Sequence, residues 1–138
     1  MQNDAFVFLA TNNACLGEHI CPPGSRVCAS DQCLRTGDNN LNLDDIKDFV
    51  YHAKGQIISG IIWDISKILG LTQTSGLLFK AIQYLIANAG YKEFILGLLL
   101  AEKELYESQY CSQFVEILTK RGFQELMSEH SISCESLK

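Results

Sequence analysis

The sequence predicts an all-α fold, a compact helical bundle built around one buried hydrophobic helix. Apolar side chains recur every three or four residues through much of residues 43–127, which is the spacing of amphipathic helices. That stretch contains no proline, because Pro22 and Pro23 are the only two in the chain. With 138 residues, the chain is long enough for one domain with its own core. We therefore expect a single helical domain over residues 1–138.

The two ends of the chain differ in composition and predicted structure from residues 43–127. Residues 5–9 are apolar and lack an evident strand partner, so we assign them to a first helix that docks on the bundle. Residues 11–42 are polar and turn-rich, with Pro22-Pro23-Gly24 as the clearest turn signal. At the other end, residues 128–138 are expected to be a frayed tail.

The main apolar stripe begins after Asn42, a residue type that favours helix N-caps. Two acids follow in the first turn, where the helix dipole favours negative charge. Gly55 and the Ser59-Gly60 pair predict a kink or a break within the stripe. The apolar residues of the stripe, at helical spacing, are Ile46, Phe49, Val50, Ala53, Ile57, Ile61, Ile65 and Ile68.

Residues 56–69 are apolar on nearly all sides, which is typical of a helix that is wrapped by others. We expect this segment to be the central helix, ended by Gly70. A turn at residues 72–75 then leads into a third helix with apolar residues from Leu77 to Ala89. The next helix begins at Tyr91, and a final helix runs from about residue 106 to a break at Gly122.

The cysteines and the termini bear on the compartment. The apolar run over residues 5–10 follows an acidic rather than a basic residue, unlike a secretory signal, and no apolar stretch reaches the ~20 residues that span a bilayer. We therefore expect a cytoplasmic protein with free thiols, no integral membrane segment and no disulfide scaffold. If the protein is secreted, one or two disulfides within residues 15–33 are expected instead. The six cysteines are Cys15, Cys21, Cys28, Cys33, Cys111 and Cys134.

Composition and motifs narrow the function classes. A net charge of −5 argues against a surface that neutralises nucleic-acid phosphates. The chain has no Gly-x-Ser-x-Gly, phosphate-loop or His-Glu-x-x-His motif and no closely spaced cysteine pair of the zinc-binding type, so we expect no enzyme activity, no catalytic residues, no metal and no cofactor. From their spacing alone, the many apolar side chains on short helices are expected to be core, and an exposed apolar patch for a protein partner is the alternative.

Four short segments are similar, in their order along the chain, to the homology motifs of the Bcl-2 family. The segment Cys33-Leu-Arg-Thr-Gly-Asp38 resembles the third motif, and Ala89-Gly-Tyr-Lys-Glu-Phe94 resembles the second. Between them, residues 55–63 stand in the place of the first motif, without its Asn-Trp-Gly-Arg, and Gln113-Phe-Val115 matches the last amphipathic helix. The compact chain without a C-terminal anchor resembles the divergent viral members of the family.

This resemblance implies an inhibitor of apoptosis that holds the amphipathic death-motif helix of a pro-apoptotic relative in a hydrophobic groove. A viral homologue would act in the host cytosol or at the mitochondrial surface, and a homodimer that covers the apolar patch is compatible with this. Two alternatives stay open: an unrelated helical interaction module of adaptor or immunity type with one dedicated partner, and a thiol- or zinc-stabilised binding module using residues 15–33. The groove residues that the resemblance implies are Ile46, Phe49, Val50, Ala53, Ile57, Gly60 and Ile61.

Overall fold

The computed structural model of the protein describes residues 2–25, 28, 32–48 and 54–137. Within these residues the chain forms six α-helices and one short antiparallel ladder, which confirms the predicted helical class. None of the helices described combines the length and apolar character needed to cross a bilayer. The elements in chain order are α1 (Gln2–Thr11), β1 (Cys15–Leu16), β2 (Arg35–Thr36), α2 (Gln56–Leu69), α3 (Leu71–Gln83), α4 (Tyr91–Tyr106), α5 (Cys111–Lys120) and α6 (Gln124–Glu129).

The helix α2 has the bounds that the sequence predicted and contributes buried side chains to the core. This helix contacts α1, α3 and α5, while α3 packs along α4. Each fully buried aliphatic side chain contributes about 1.5–3 kcal/mol of hydrophobic free energy, so the buried face of α2 is a main source of stability. The isoleucines on that face are Ile57, Ile58, Ile61, Ile62 and Ile65.

Two predicted helix starts differ from the structure. The turn predicted at residues 72–75 is helical, because α3 begins at Leu71 directly after Gly70. The hydroxyls of Thr74 and Ser75 donate to carbonyls one turn back, so these residues fit inside the helix. The last long helix begins at Cys111 rather than near residue 106, because Glu107 and Ser108, with φ of 54° and 64°, turn the chain through a corner.

No helix starts at Asn42, which corrects that prediction, although Lys54, just before α2, is helical. Residues 43–48 form turns. The side-chain oxygen of Asn42 accepts hydrogen bonds from the backbone N–H groups of Asp44 and Asp45, so the predicted cap holds a local turn instead. The stripe residues Phe49, Val50 and Ala53 lie outside the described residues.

All six cysteines are paired, so the expectation of free thiols is wrong. The pairs are Cys15–Cys33, Cys21–Cys28 and Cys111–Cys134, and two of them lie within residues 15–33, as expected for a secreted chain. The third pair ties the segment after α6 to the start of α5, and Ile132 in that segment is buried. The C-terminal segment predicted to fray is therefore anchored as far as Cys134.

Candidate functional site

The structure places the described residues of the predicted groove in the core. The side chains of Ile46, Ile57 and Ile61 are 2%, 0% and 0% exposed. Gly60 is also buried, and a Cβ there would lie 2.7 Å from Nη1 of Arg121. Close approach does require glycine at this position, but the neighbour is the chain's own arginine. With Phe49, Val50 and Ala53 outside the described part of the chain, the groove stays a prediction.

Arg121 is a buried cation that the sequence analysis did not identify. Its Nη1 donates to Oδ1 of Asn39 at 2.7 Å and to the carbonyl of Leu41 at 3.0 Å. Its Nη2 donates to Oδ2 of Asp64 at 2.7 Å. A buried guanidinium needs such partners to offset its lost hydration. These bonds attach the loop over residues 39–41 to α2, so the arginine has a structural role.

The most distinctive surface feature is a region that we call the disulfide knob, formed by residues 13–25, 28 and 32–37. At its base, β1 pairs with β2 so that Cys15 lies opposite Thr36 and Leu16 opposite Arg35. The Cys15–Cys33 disulfide closes an outer ring just above this ladder, and Cys21–Cys28 closes an inner ring inside it. The knob is thus a loop closed twice by covalent bonds.

The inner ring contains a defined turn. The N–H of Ser25 donates to the carbonyl of Pro22 at 3.1 Å, with Pro23 and Gly24 in the central positions. Gly24 has a φ of 75°, which is the left-handed conformation that glycine adopts without strain. Proline followed by glycine at these two positions is the signature of a type II turn. The turn signal seen in the sequence therefore corresponds to an ordered turn.

The base of the knob is fixed to the helical bundle by polar contacts. Nε of Arg35 donates to Oδ2 of Asp4 in α1 at 2.6 Å, and its Nη2 lies 3.3 Å from Oδ1 of the same residue. The N–H of Thr36 donates to Oε1 of Gln56 in α2 at 3.1 Å. Two helices therefore set the direction in which the knob projects.

The tip of the knob is open to solvent and carries an apolar side chain. Ile20 is 69% exposed, and its neighbours Glu18, His19, Pro22, Pro23 and Gly24 are exposed as well. Oε1 of Glu18 accepts a hydrogen bond from Asn13 at the base, at 2.8 Å. Surface loops held on a rigid scaffold commonly carry binding residues. The knob has this form, with Ile20 as its most exposed apolar group.

A shallow cleft of about 640 Å³ between α5, α6 and the C-terminal segment is a second candidate. Most of its lining residues have polar side chains, unlike the hydrophobic and aromatic residues that line typical ligand pockets, although apolar atoms form most of the surface of the cleft. Ser133 and Ser136 hydrogen-bond to each other, so their hydroxyls are engaged in the local turn. The lining residues are Val115, Thr119, Gln124, Met127, Ser128, Ser131, Ile132, Ser133, Glu135 and Ser136.

The cysteines near the knob do not form a metal centre. A disulfide sulfur is not the thiolate that zinc sites use, and every cysteine is in a disulfide. Among the residues that the structure describes, no group of three or more His, Cys, Asp or Glu side chains is placed to hold a metal ion.

Comparisons with known proteins assign no relative. No protein-family model matches the chain, and no curated protein matches it significantly. The geometry of the chain itself must therefore indicate the function.

Proposed function

We propose that the protein is a non-enzymatic binding module of an oxidising compartment, and that it recognises a protein partner with the disulfide knob. The observation that carries this proposal is the exposed Ile20 on a loop that two nested disulfides close. The proposal corresponds to the second alternative from the sequence, a thiol- or zinc-stabilised binding module, with disulfides as the stabilising element.

The cysteine pairing supports the proposed compartment. Disulfides persist in secreted, luminal and periplasmic proteins, whereas cytosolic glutathione and thioredoxin keep thiols reduced. All six cysteines of the chain are within bonding geometry of a partner. This supports an oxidising compartment over the cytoplasm that the N-terminus suggested.

The two disulfides that close the knob favour the binding of a partner. A flexible loop loses conformational freedom when a partner binds it, and that loss weakens affinity. In the knob, the two rings, the type II turn and the contacts of Arg35 and Thr36 restrict the chain before any partner arrives. The loop can then bind with a smaller entropic loss than an open loop of the same sequence.

The tip indicates the chemistry of the partner surface. Burying an isoleucine in an apolar pocket contributes about 1.5–3 kcal/mol. Pro22 and Pro23 beside it have rigid apolar rings that lose little side-chain entropy on binding. The partner would therefore present an apolar pocket for Ile20 with an apolar or aromatic rim for the prolines.

A matched pair of variants tests the proposal, because Ile20 and Phe79 are two of the three large apolar side chains that are more than 60% exposed in the described part of the chain, the third being Ile86 at 68%. Ile20 in the knob is 69% exposed and Phe79 on α3 is 63% exposed. Ile20→Asp and Phe79→Asp are each immobilised and compared with the wild-type protein for capture of a partner from the extracellular fluid or lumen of its source. We expect Ile20→Asp to lose the wild-type partner and Phe79→Asp to retain it. Loss with Phe79→Asp and retention with Ile20→Asp would move the binding surface to α3 and contradict the proposal.

A second candidate is the Bcl-2-type groove protein, an inhibitor of apoptosis that binds a death-motif helix. Two features support it: α2 is apolar and packed against α1, α3 and α5, and α4 begins at Tyr91, where the second homology motif would start a helix. Two features weigh against it: residues 33–38 contain β2 and a disulfide, and Ile46, Ile57 and Ile61 are buried.

A calorimetric titration distinguishes the two candidates. The protein is titrated with a panel of synthetic death-motif helices, once oxidised and once reduced. Binding in the reduced state, which a cytosolic protein must support, would favour the groove. The knob proposal predicts no binding of any of these peptides in either state.

A further inference from the structure

The corner between α4 and α5, residues 107–110, is bonded to a buried carboxyl group of α4, that of Glu102. Glu102 is 0% exposed, although a glutamate is almost never fully buried unless it is paired. Its Oε1 accepts a hydrogen bond from the backbone N–H of Tyr110 at 2.8 Å. Its Oε2 is buried and has no hydrogen-bond partner among the described residues. Such an unsatisfied group needs a physical explanation.

The bond from Tyr110 holds the corner closed. Tyr110 is the N-cap residue of α5, so Glu102 reaches from the last turns of α4 to the first residue of the next helix. Between them, Glu107 and Ser108 have φ values of 54° and 64°, which are unfavourable for residues other than glycine. The corner therefore combines backbone strain with one buried bond that spans it.

Protonation changes how well Glu102 fits this site. A neutral carboxyl group can leave Oε2 without a partner at far lower cost than a carboxylate can. Burial raises the pKa of Glu102, and the hydrogen bond from the Tyr110 N–H, which favours the charged form, opposes this only in part. When the group ionises, Oε2 carries charge without hydration, and opening the corner would give it water.

None of the described residues around Glu102 supplies a countercharge. The buried residues of α2, α3 and α5 include no titrating side chain, since Cys111 is in a disulfide. The buried Arg121 beyond α5 is paired with Asp64. The charged groups at the corner, Lys103 and Glu107, are exposed. None of these groups contributes to the shift at Glu102.

We propose that the α4–α5 corner is a proton-controlled latch, closed while Glu102 is protonated and loosened when its buried carboxyl group ionises. Cys111 follows the corner directly and is bonded to Cys134, so loosening extends to the C-terminal segment. Because the pKa of Glu102 is raised in the closed state, the closed state loses stability as pH rises. The latch is most stable below about pH 4.3, the usual value for a free glutamate, and weakens as pH rises through the raised pKa.

Amide hydrogen exchange of Tyr110 in the oxidised full-length protein tests the latch. Within the window between the two pKa values, opening becomes about tenfold more favourable per pH unit, in addition to the ordinary base-catalysed rise in exchange. We expect this additional slope in the wild-type protein and in Glu107→Gln, an exposed acid of the same corner. Glu102→Gln, which cannot ionise, should show the base-catalysed slope alone.

A direct titration of the wild-type protein covers the case in which Glu102→Gln does not fold. Carbon-13 NMR of the side-chain carboxyl reports the pKa of Glu102 without a variant. A pKa clearly above that of the exposed glutamates, together with the additional exchange slope, supports the latch. A pKa at or below the usual value, or a wild-type slope equal to the base-catalysed one, would overturn it.

Discussion

The disulfide knob and the helical bundle are held together by different means. The bundle has a continuous apolar core in which the isoleucines of α2 are buried, and its helices would lose much of their stability if that core were opened. Among the described residues of the knob, Cys21 is the only buried apolar one, and the knob is held by two disulfides, a two-residue ladder and polar contacts. A loop that does not pack in the core can therefore expose an apolar side chain to solvent and still keep its shape, provided that covalent bonds fix it.

The largest expected effect is a difference in unfolding free energy between two variants, each of which shortens one isoleucine, one in the bundle and one in the knob. Ile61→Ala should lower the free energy of unfolding by about 2–5 kcal/mol, because it leaves a cavity in the core. Ile20→Ala should change it by no more than about 0.5 kcal/mol, because the side chain is already in solvent. Denaturant unfolding of both variants measures the difference. Similar losses would show that the knob side chain is packed and not presented.

Arg121 provides a test of how the loop over residues 39–41 is attached to the bundle. Arg121→Ala removes a buried cation together with its hydrogen bonds to Asn39, Leu41 and Asp64, so we expect a loss of about 1–3 kcal/mol. The control is Lys67→Ala, since Lys67 also pairs with Asp64, at 3.7 Å, but lies in solvent. Lys67→Ala should cost less than about 1 kcal/mol. Equal effects in urea unfolding would mean that burial of the guanidinium is unimportant.

Opening the inner ring tests whether the knob and the bundle unfold independently. The Cys21→Ser, Cys28→Ser double variant opens a ring of short sequence separation that lies away from the core. We expect the melting temperature of the bundle to change by only a few degrees, or about 1 kcal/mol, while the N–H of Ser25 loses its protection from hydrogen exchange. Loss of cooperative unfolding by circular dichroism would instead make the knob part of the same folding unit as the bundle.

The sequence predicted those features that local patterns determine. Residues 56–69 form a helix, as the three- and four-residue spacing of their apolar residues predicted, and Pro23-Gly24 turns because those residue types favour one turn geometry. The corner at Glu107 and Ser108 could not be predicted, because neither residue is a type that signals a left-handed backbone.

The candidate site was harder to predict than the fold. Disulfide pairing depends on the compartment and on distances between cysteines in space, so the four cysteines over residues 15–33 permitted free thiols as well as rings. The predicted groove residues Ile57 and Ile61 follow the same helical spacing whether a side chain lines a groove or fills the core. The burial of Glu102 depends on where α5 packs, which no local pattern gives.

The most direct test of the central claim, that the knob is rigid before it meets a partner, is backbone nitrogen-15 relaxation of the oxidised protein. At Ile20, Gly24 and Ser25 we expect order parameters close to 0.85, the value of rigid backbone, and similar to those of the amides in α2. Values below about 0.6 at these positions would show a flexible loop and contradict a preorganised binding surface.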